Sequence, residues 1–143
     1  MSKRAFVTVQ NSFADEAVRA FGFLVSEFGL AGPELLGVAL PVVAFSGKGA
    51  RYRVMLDPDD KIVMTRVEID LDAKRLVAEL DDLVQAAGLG SRNHVAHNAH
   101  TLKSLAQALE SQARYVRLLQ PYMKPETAVE LMRKAKAREW STR

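Results

Sequence analysis

The stretch Arg51–Leu71, RYRVMLDPDDKIVMTRVEIDL, constrains the fold more than any other part of the chain. Two runs rich in β-branched and apolar residues flank Asp57-Pro58-Asp59-Asp60, where proline presets φ and aspartate can bond the backbone just after it. In the second run Val63, Thr65, Val67, Ile69 and Leu71 share one parity, and Met64, Arg66, Glu68 and Asp70 the other. In the first, Tyr52, Val54 and Leu56 alternate with Arg51, Arg53 and Met55. Alternation of this kind predicts a β-hairpin with one face buried. The rest reads as helix laid on that sheet.

Lys3–Gln10 reads as a ragged segment or a small edge strand. From Ser12 onward Phe13, Ala17, Phe21, Leu24 and Phe28 recur at spacings of three and four, predicting an amphipathic helix capped by Ser12. Gly29-Leu30 suits a left-handed cap at its end. Ala31–Leu40, with Gly32, Pro33 and Gly37, reads as a loop. Pro41–Phe45 reads as a strand joined to the hairpin by Ser46-Gly47-Lys48-Gly49, which makes a meander of at least three strands. Asp72 is placed to cap a helix with the stripe Leu76, Leu80, Leu83, Val84 and Ala87, which closes at Gly88-Leu89. A long helix is expected from Asn98 or Thr101 to Gln120. Pro121 interrupts it, and Pro125 opens another with Ala128, Leu131, Met132 and Ala135 on one face.

The expected fold class is therefore α+β: a small antiparallel sheet of three or four strands in a meander, packed with an N-terminal helix and three C-terminal helices. At 143 residues the chain suits one domain, with 121–143 as a peripheral helix and a frayed tail. The absence of cysteine excludes disulfides, thiolate catalysis and cysteine ligands, and fits a cytoplasmic setting. Leu35–Phe45, the longest nearly apolar run, is too short for a bilayer and holds Gly37 and Pro41, so no membrane partner is expected. The basic start Met1-Ser2-Lys3-Arg4 lacks the long apolar run of a signal peptide, because the patch after it ends at Gln10-Asn11.

Three groups of residues could carry chemistry. His94, His97 and His100, the only histidines, fall within one heptapeptide and are candidate metal ligands or proton-transfer groups. On a straight helix the outer two diverge by about 120° and stand about 9 Å apart along the axis, so an irregular turn would be needed to converge all three. The alternative is a helix-entry segment with partly exposed histidines. Residues 91–143 carry ten Lys/Arg against four Asp/Glu, the reverse of the acidic balance before them, so Arg114, Arg117, Lys124, Arg133, Lys134, Lys136 and Arg138 are candidate nucleic-acid contacts. Tyr115, Tyr122 and Trp140 could stack on bases, or cover the core edge and a surface groove. The signatures of common nucleic-acid modules are absent. Gly47-Lys48-Gly49 lacks the upstream glycine and the following helix of a phosphate loop. The carboxylates at 57, 59 and 60 suit turn chemistry, and Asp81-Asp82 point in different directions as a solvated edge. No catalytic residues and no cofactor follow from these patterns.

The order of parts carries a resemblance. A helix ending Phe21-Gly22-Phe23-Leu24-Val25-Ser26-Glu27-Phe28-Gly29-Leu30 leads into the apolar strand Val42–Ser46. A hairpin with charged edges follows, then helices over Leu76–Gly88 and Leu102–Leu119. This plan resembles small bacterial α+β proteins that include the immunity proteins of polymorphic toxin systems, up to about Leu119. The resemblance implies a non-enzymatic cytosolic module, monomeric or homodimeric, that binds another protein and neutralises a cognate toxin. It carries no site residues, because such proteins bind through variable surfaces. A nucleic-acid-associated protein using the basic C-terminal helices is the alternative.

Overall fold

Six strands run as a simple antiparallel meander in the order β1-β2-β3-β4-β5-β6, in a computed structural model that describes residues 3–37 and 40–141. They are β1 (Ala31–Leu36), β2 (Val42–Gly47), β3 (Ala50–Asp57), β4 (Ile62–Leu71), β5 (Lys74–Glu79) and β6 (Arg138–Ser141). The β3–β4 hairpin forms in the expected register, with Tyr52 opposite Val67, Val54 opposite Thr65 and Leu56 opposite Val63, all buried. Asp57 Oδ1 accepts the backbone N–H of Asp59 at 2.9 Å and of Asp60 at 3.2 Å, so the aspartate holds its own turn. Between β2 and β3 the connection is two residues, Lys48 and Gly49, with φ of 55° and 80°. Positive φ at both positions is the type I′ geometry, whose twist matches that of the flanking strands.

The α+β class holds, and the strand count is six where three or four were expected. Ala31–Leu36 is a strand instead of a loop, pairing Leu35 with Val43 and slipping register between Ala31 and Glu34, where Gly32-Pro33 sits. A bulged edge is where a sheet tolerates proline, which has no N–H for the ladder. Lys74–Glu79 is β5 instead of the first turns of a helix, with Leu76 opposite Ile69 and Ala78 opposite Val67. Asp72 consequently lies in the β4–β5 turn and caps nothing helical. Arg138–Ser141, expected to fray, pairs with β5 although all four residues are exposed. All three are short segments held by ladder bonds to a neighbour, a contribution that no local pattern reveals.

The helices are α1 (Lys3–Phe21), α2 (Phe23–Ser26), α3 (Leu80–Ala86), α4 (Leu102–Leu119) and α5 (Pro125–Lys134). Lys3–Gln10 is the first half of α1, and Ser12 lies inside the helix instead of capping it. Phe6, Val9, Phe13, Ala17 and Phe21, three or four residues apart, are all buried, so one apolar stripe runs the whole length. The loop after α2 turns at Gly29 and the end of α3 at Gly88, with φ of 73° and 71°. The apolar residue that follows folds back each time: Leu30 N–H donates to Leu24 and Leu89 N–H to Val84. Thr101 and Ser104 cap α4 reciprocally, each side chain bonding the other's backbone N–H. Ala128, Leu131 and Met132 of α5 are buried in the same core as the sheet, so that stripe is covered by its own chain. Residues 1–2 ahead of the basic Lys3-Arg4, residues 38–39 of the expected loop and residues 142–143 of the tail lie outside the described residues. No described helix is long and apolar enough to cross a membrane.

The helices gather on one face of the sheet. Val43 and Phe45 of β2, Tyr52, Val54 and Leu56 of β3, and their partners on β4 and β5 join the buried helix residues in one cluster. Ala44, Met55 and Val77, of the opposite parity, are buried outside that cluster. Their cross-strand neighbours include Arg53 opposite Ala44 and Glu68 opposite Val77.

Candidate functional site

The histidine segment closes a gap in the sheet. Because β5 pairs only with Arg66–Leu71, the start of β4 has a free edge. Residues 97–99 fill it: Val63 N–H donates to the His97 carbonyl at 2.9 Å and Ala99 N–H to the Lys61 carbonyl at 3.0 Å. The His97 ring is held at both nitrogens, Nδ1 at 2.8 Å from the Val63 carbonyl and Nε2 at 2.7 Å from Asp81 Oδ2. A carbonyl and a carboxylate can only accept, so both bonds at once describe an imidazolium. The Asp81 hydrogen bond raises the His97 pKa above 6.5 against the opposing effect of burial, and the Val63 carbonyl and the charges of Asp81 and Glu79 add to the rise. His94 and His100 are exposed. Among the described residues no three histidines or carboxylates stand close enough together to hold a metal ion.

Asp81 and Asp82 are not a solvated edge. Asp81 holds His97, and Asp82 Oδ1 lies 3.4 Å from Arg92 Nη1, so both tie α3 to the loop before α4. Behind that loop Gln112, fully buried, donates through Nε2 to the carbonyls of Val63 at 2.9 Å and Ala96 at 2.7 Å, and accepts from the Thr65 hydroxyl at 2.8 Å. Both N–H donors of this amide and one acceptor position of its oxygen are spent on structure.

The basic candidates divide. Arg117 makes a bidentate pair with Glu27, at 2.6 and 2.9 Å, and its guanidinium lies 4.3 Å from the Phe23 ring centre, which pins the end of α2 to α4. The same bond holds the Glu27 carboxyl below the usual carboxylate range. Arg114 lies over Tyr115, and Tyr115 is buried at the core edge. Arg117 and Lys124 line a cavity at the α4–α5 junction, while Lys136 and Arg138 line a different depression beside β5. Arg133 pairs loosely with Glu139 at 3.8 Å, and Lys134 is exposed at the end of α5. Trp140, expected to sit in a surface groove, is 57% exposed on β6 opposite Arg75.

The arginines on the second face of the sheet escaped the sequence reading as a site. Arg51, Arg53, Arg66, Arg75 and Arg138 occupy four neighbouring strands, interleaved with Glu68, Asp70 and Glu79. Glu68 is at the centre, only 8% exposed, with Arg53 Nε 3.2 Å, Arg51 Nη1 3.8 Å and Arg75 Nη1 3.9 Å from its carboxylate. Arg75 also bonds Asp70 at 2.7 Å, and Arg66 bonds Glu79 at 3.1 Å. The Arg53 Nε contact, made to Glu68 Oε2, lacks the alignment of a hydrogen bond, and Arg51 and Arg75 stand too far from Oε1 to donate to it, so Arg53 Nε and Glu68 Oε1 are buried in ion pairs without a hydrogen bond. The signal was present in the alternation Arg51, Arg53 against Arg66, Glu68, Asp70, where the parity that misses the core is almost entirely charged. Comparison with known proteins returns no match to a family model, a curated protein or a solved structure.

Proposed function

We propose that the chain is a non-enzymatic cytosolic protein-binding module that holds its partner on the arginine-bearing face of the sheet. The observation that carries this reading is the composition of that face. Arginine, tryptophan and methionine, here Arg51, Arg53, Arg66, Arg75, Arg138, Trp140 and Met64, are the residue types enriched at protein interfaces. The arginine side chains lie partly pinned on the sheet, so less rotamer entropy is lost when a partner covers them. A partner presenting charges of both signs around an apolar patch would fit.

The interleaving of Glu68, Asp70 and Glu79 favours protein over nucleic acid, because each carboxylate would repel a phosphate backbone tracking the arginines. The division of the C-terminal cations between two depressions points the same way. In the immunity-type role implied by the resemblance, the partner is a toxin kept inactive while bound.

The test is capture from native lysate at low and moderate salt with three baits: the native chain, the face variant Arg138→Glu/Trp140→Ser, and the helix variant Arg133→Glu/Lys134→Glu. One protein held at moderate salt by the native chain and the helix variant, and lost by the face variant, supports the reading. Retention by the face variant contradicts the surface. Nucleic acid held at low salt and released at moderate salt, with no specific protein, replaces the reading with the alternative.

A further inference from the structure

A cavity of about 510 Å³ lies at the end of the molecule where the β2–β3 turn, the loop after α2 and the α4–α5 junction meet. That volume falls in the range of small-molecule sites, about 300–1,000 Å³. Its walls are mainly apolar, from Phe28 and Leu30 on one side and Met123 and Pro125 on the other, with Tyr52 and Ala50 contributed by β3. No carboxylate lines it. Three cations do, namely Lys48, Arg117 and Lys124. Arg117 is engaged by Glu27, whereas neither lysine is within ion-pair distance of a carboxylate among the described residues.

The polar group facing this space is unusual in being buried. Tyr52 is 1% exposed; its oxygen accepts from Gln120 Nε2 at 2.8 Å, and its own proton has no acceptor among the described residues. Gln120 Nε2 is held in place by a second bond to the Val116 carbonyl at 3.0 Å. Burial pushes the Tyr52 pKa up to about 12, partly offset by the Gln120 bond, so the hydroxyl remains a neutral donor throughout the physiological range.

We propose that this cavity binds an anionic amphiphile, a molecule with an apolar body and a single carboxylate-like head. The body lies against Phe28, Leu30 and Met123, and the head lies at the mouth between Lys48 and Lys124. The backbone supports this arrangement: Lys48 is in the left-handed region, φ 55°, at the first position of the two-residue turn, and Lys124 is the residue preceding the first turn of α5. Both side chains are therefore carried by sharply defined turns and not by a mobile loop.

The test titrates the full chain with decanoate, decanol and decyltrimethylammonium below their micelle concentrations. Heat is the first readout, and the amide resonances of Lys48 and the Gln120 side chain are the second. Saturable one-to-one binding of decanoate is expected, with decanol about tenfold weaker and the cation not bound. Lys48→Asn/Lys124→Asn should weaken decanoate about tenfold while leaving the fold intact, because asparagine tolerates the left-handed turn position and is a good helix cap. Lys74→Asn/Lys103→Asn, with the same net charge change elsewhere, should leave binding unchanged. Equal affinity for decanol and decanoate, unchanged affinity in Lys48→Asn/Lys124→Asn, or no saturable decanoate binding would each overturn the proposal.

Discussion

His97 Nε2 sits 2.7 Å from Asp81 Oδ2, joining the loop before α4 to the first turn of α3. Folding raises the His97 pKa, so the native state binds this proton more tightly than the unfolded chain. The stability from the pair is fully present below the unfolded value of about 6.5 and is lost as pH rises through the higher folded value. Asp81→Asn should therefore destabilise by about 1–3 kcal/mol in mildly acidic buffer, with the difference from the native chain shrinking as pH rises. Urea midpoints across a pH series check this, and a difference independent of pH would contradict the imidazolium.

The Val63 carbonyl accepts from both His97 and Gln112, which makes Gln112 the second support of the same loop. Gln112→Leu should cost about 2–4 kcal/mol, because it strands the Ala96 carbonyl and the Thr65 hydroxyl in the core. Thr65→Val added to it should cost less than the two changes separately, with a coupling of about 1 kcal/mol. Chemical denaturation of the four species measures that coupling, and strict additivity would argue against the shared network.

Glu68 balances the arginines of the open face. Glu68→Gln keeps the shape and removes the charge, leaving Arg51, Arg53 and Arg75 facing one another. A loss of about 1–3 kcal/mol is expected at neutral pH, after allowing for the partial exposure of the arginines. Added salt screens the remaining repulsion, so the deficit should narrow in higher salt. A deficit that does not respond to salt would mean that packing, not charge, is the main role of Glu68.

The first half of α1 offers a contrast between adjacent faces. Val9 is fully buried and Val7 is 50% exposed. Val9→Asp should cost about 3 kcal/mol or more, whereas Val7→Asp should stay within about 0.5 kcal/mol. Equal effects would show that residues 3–10 do not pack as this helix.

Much of the architecture was legible. The β3–β4 hairpin, its aspartate turn, the Gly-Leu closures at 29–30 and 88–89, the helix Leu102–Leu119 and the Pro125 helix all follow from patterns within a few residues. The start of α1 was misread as a ragged segment or small edge strand, although Phe6 and Val9 continue the spacing of Phe13 and Ala17. Leu76 was the misleading residue. It stands four before Leu80 and so extends an apparent helical stripe, yet it also stands two before Ala78 and four before Leu80 in strict alternation. Only the vacant edge of β4 selects the strand.

The sequence by itself determined the α+β class, the central hairpin and the apolar faces of the main helices, because periodicity and turn chemistry act between neighbours along the chain. Tertiary structure decided the three further strands, the pairing of His97 with Asp81, the burial of Gln112 and the gathering of three arginines around Glu68. Each of these depends on groups distant in sequence satisfying one another's hydrogen bonds or charges. That energy exists only once the strands are in register, which is why it leaves no periodic trace in the chain.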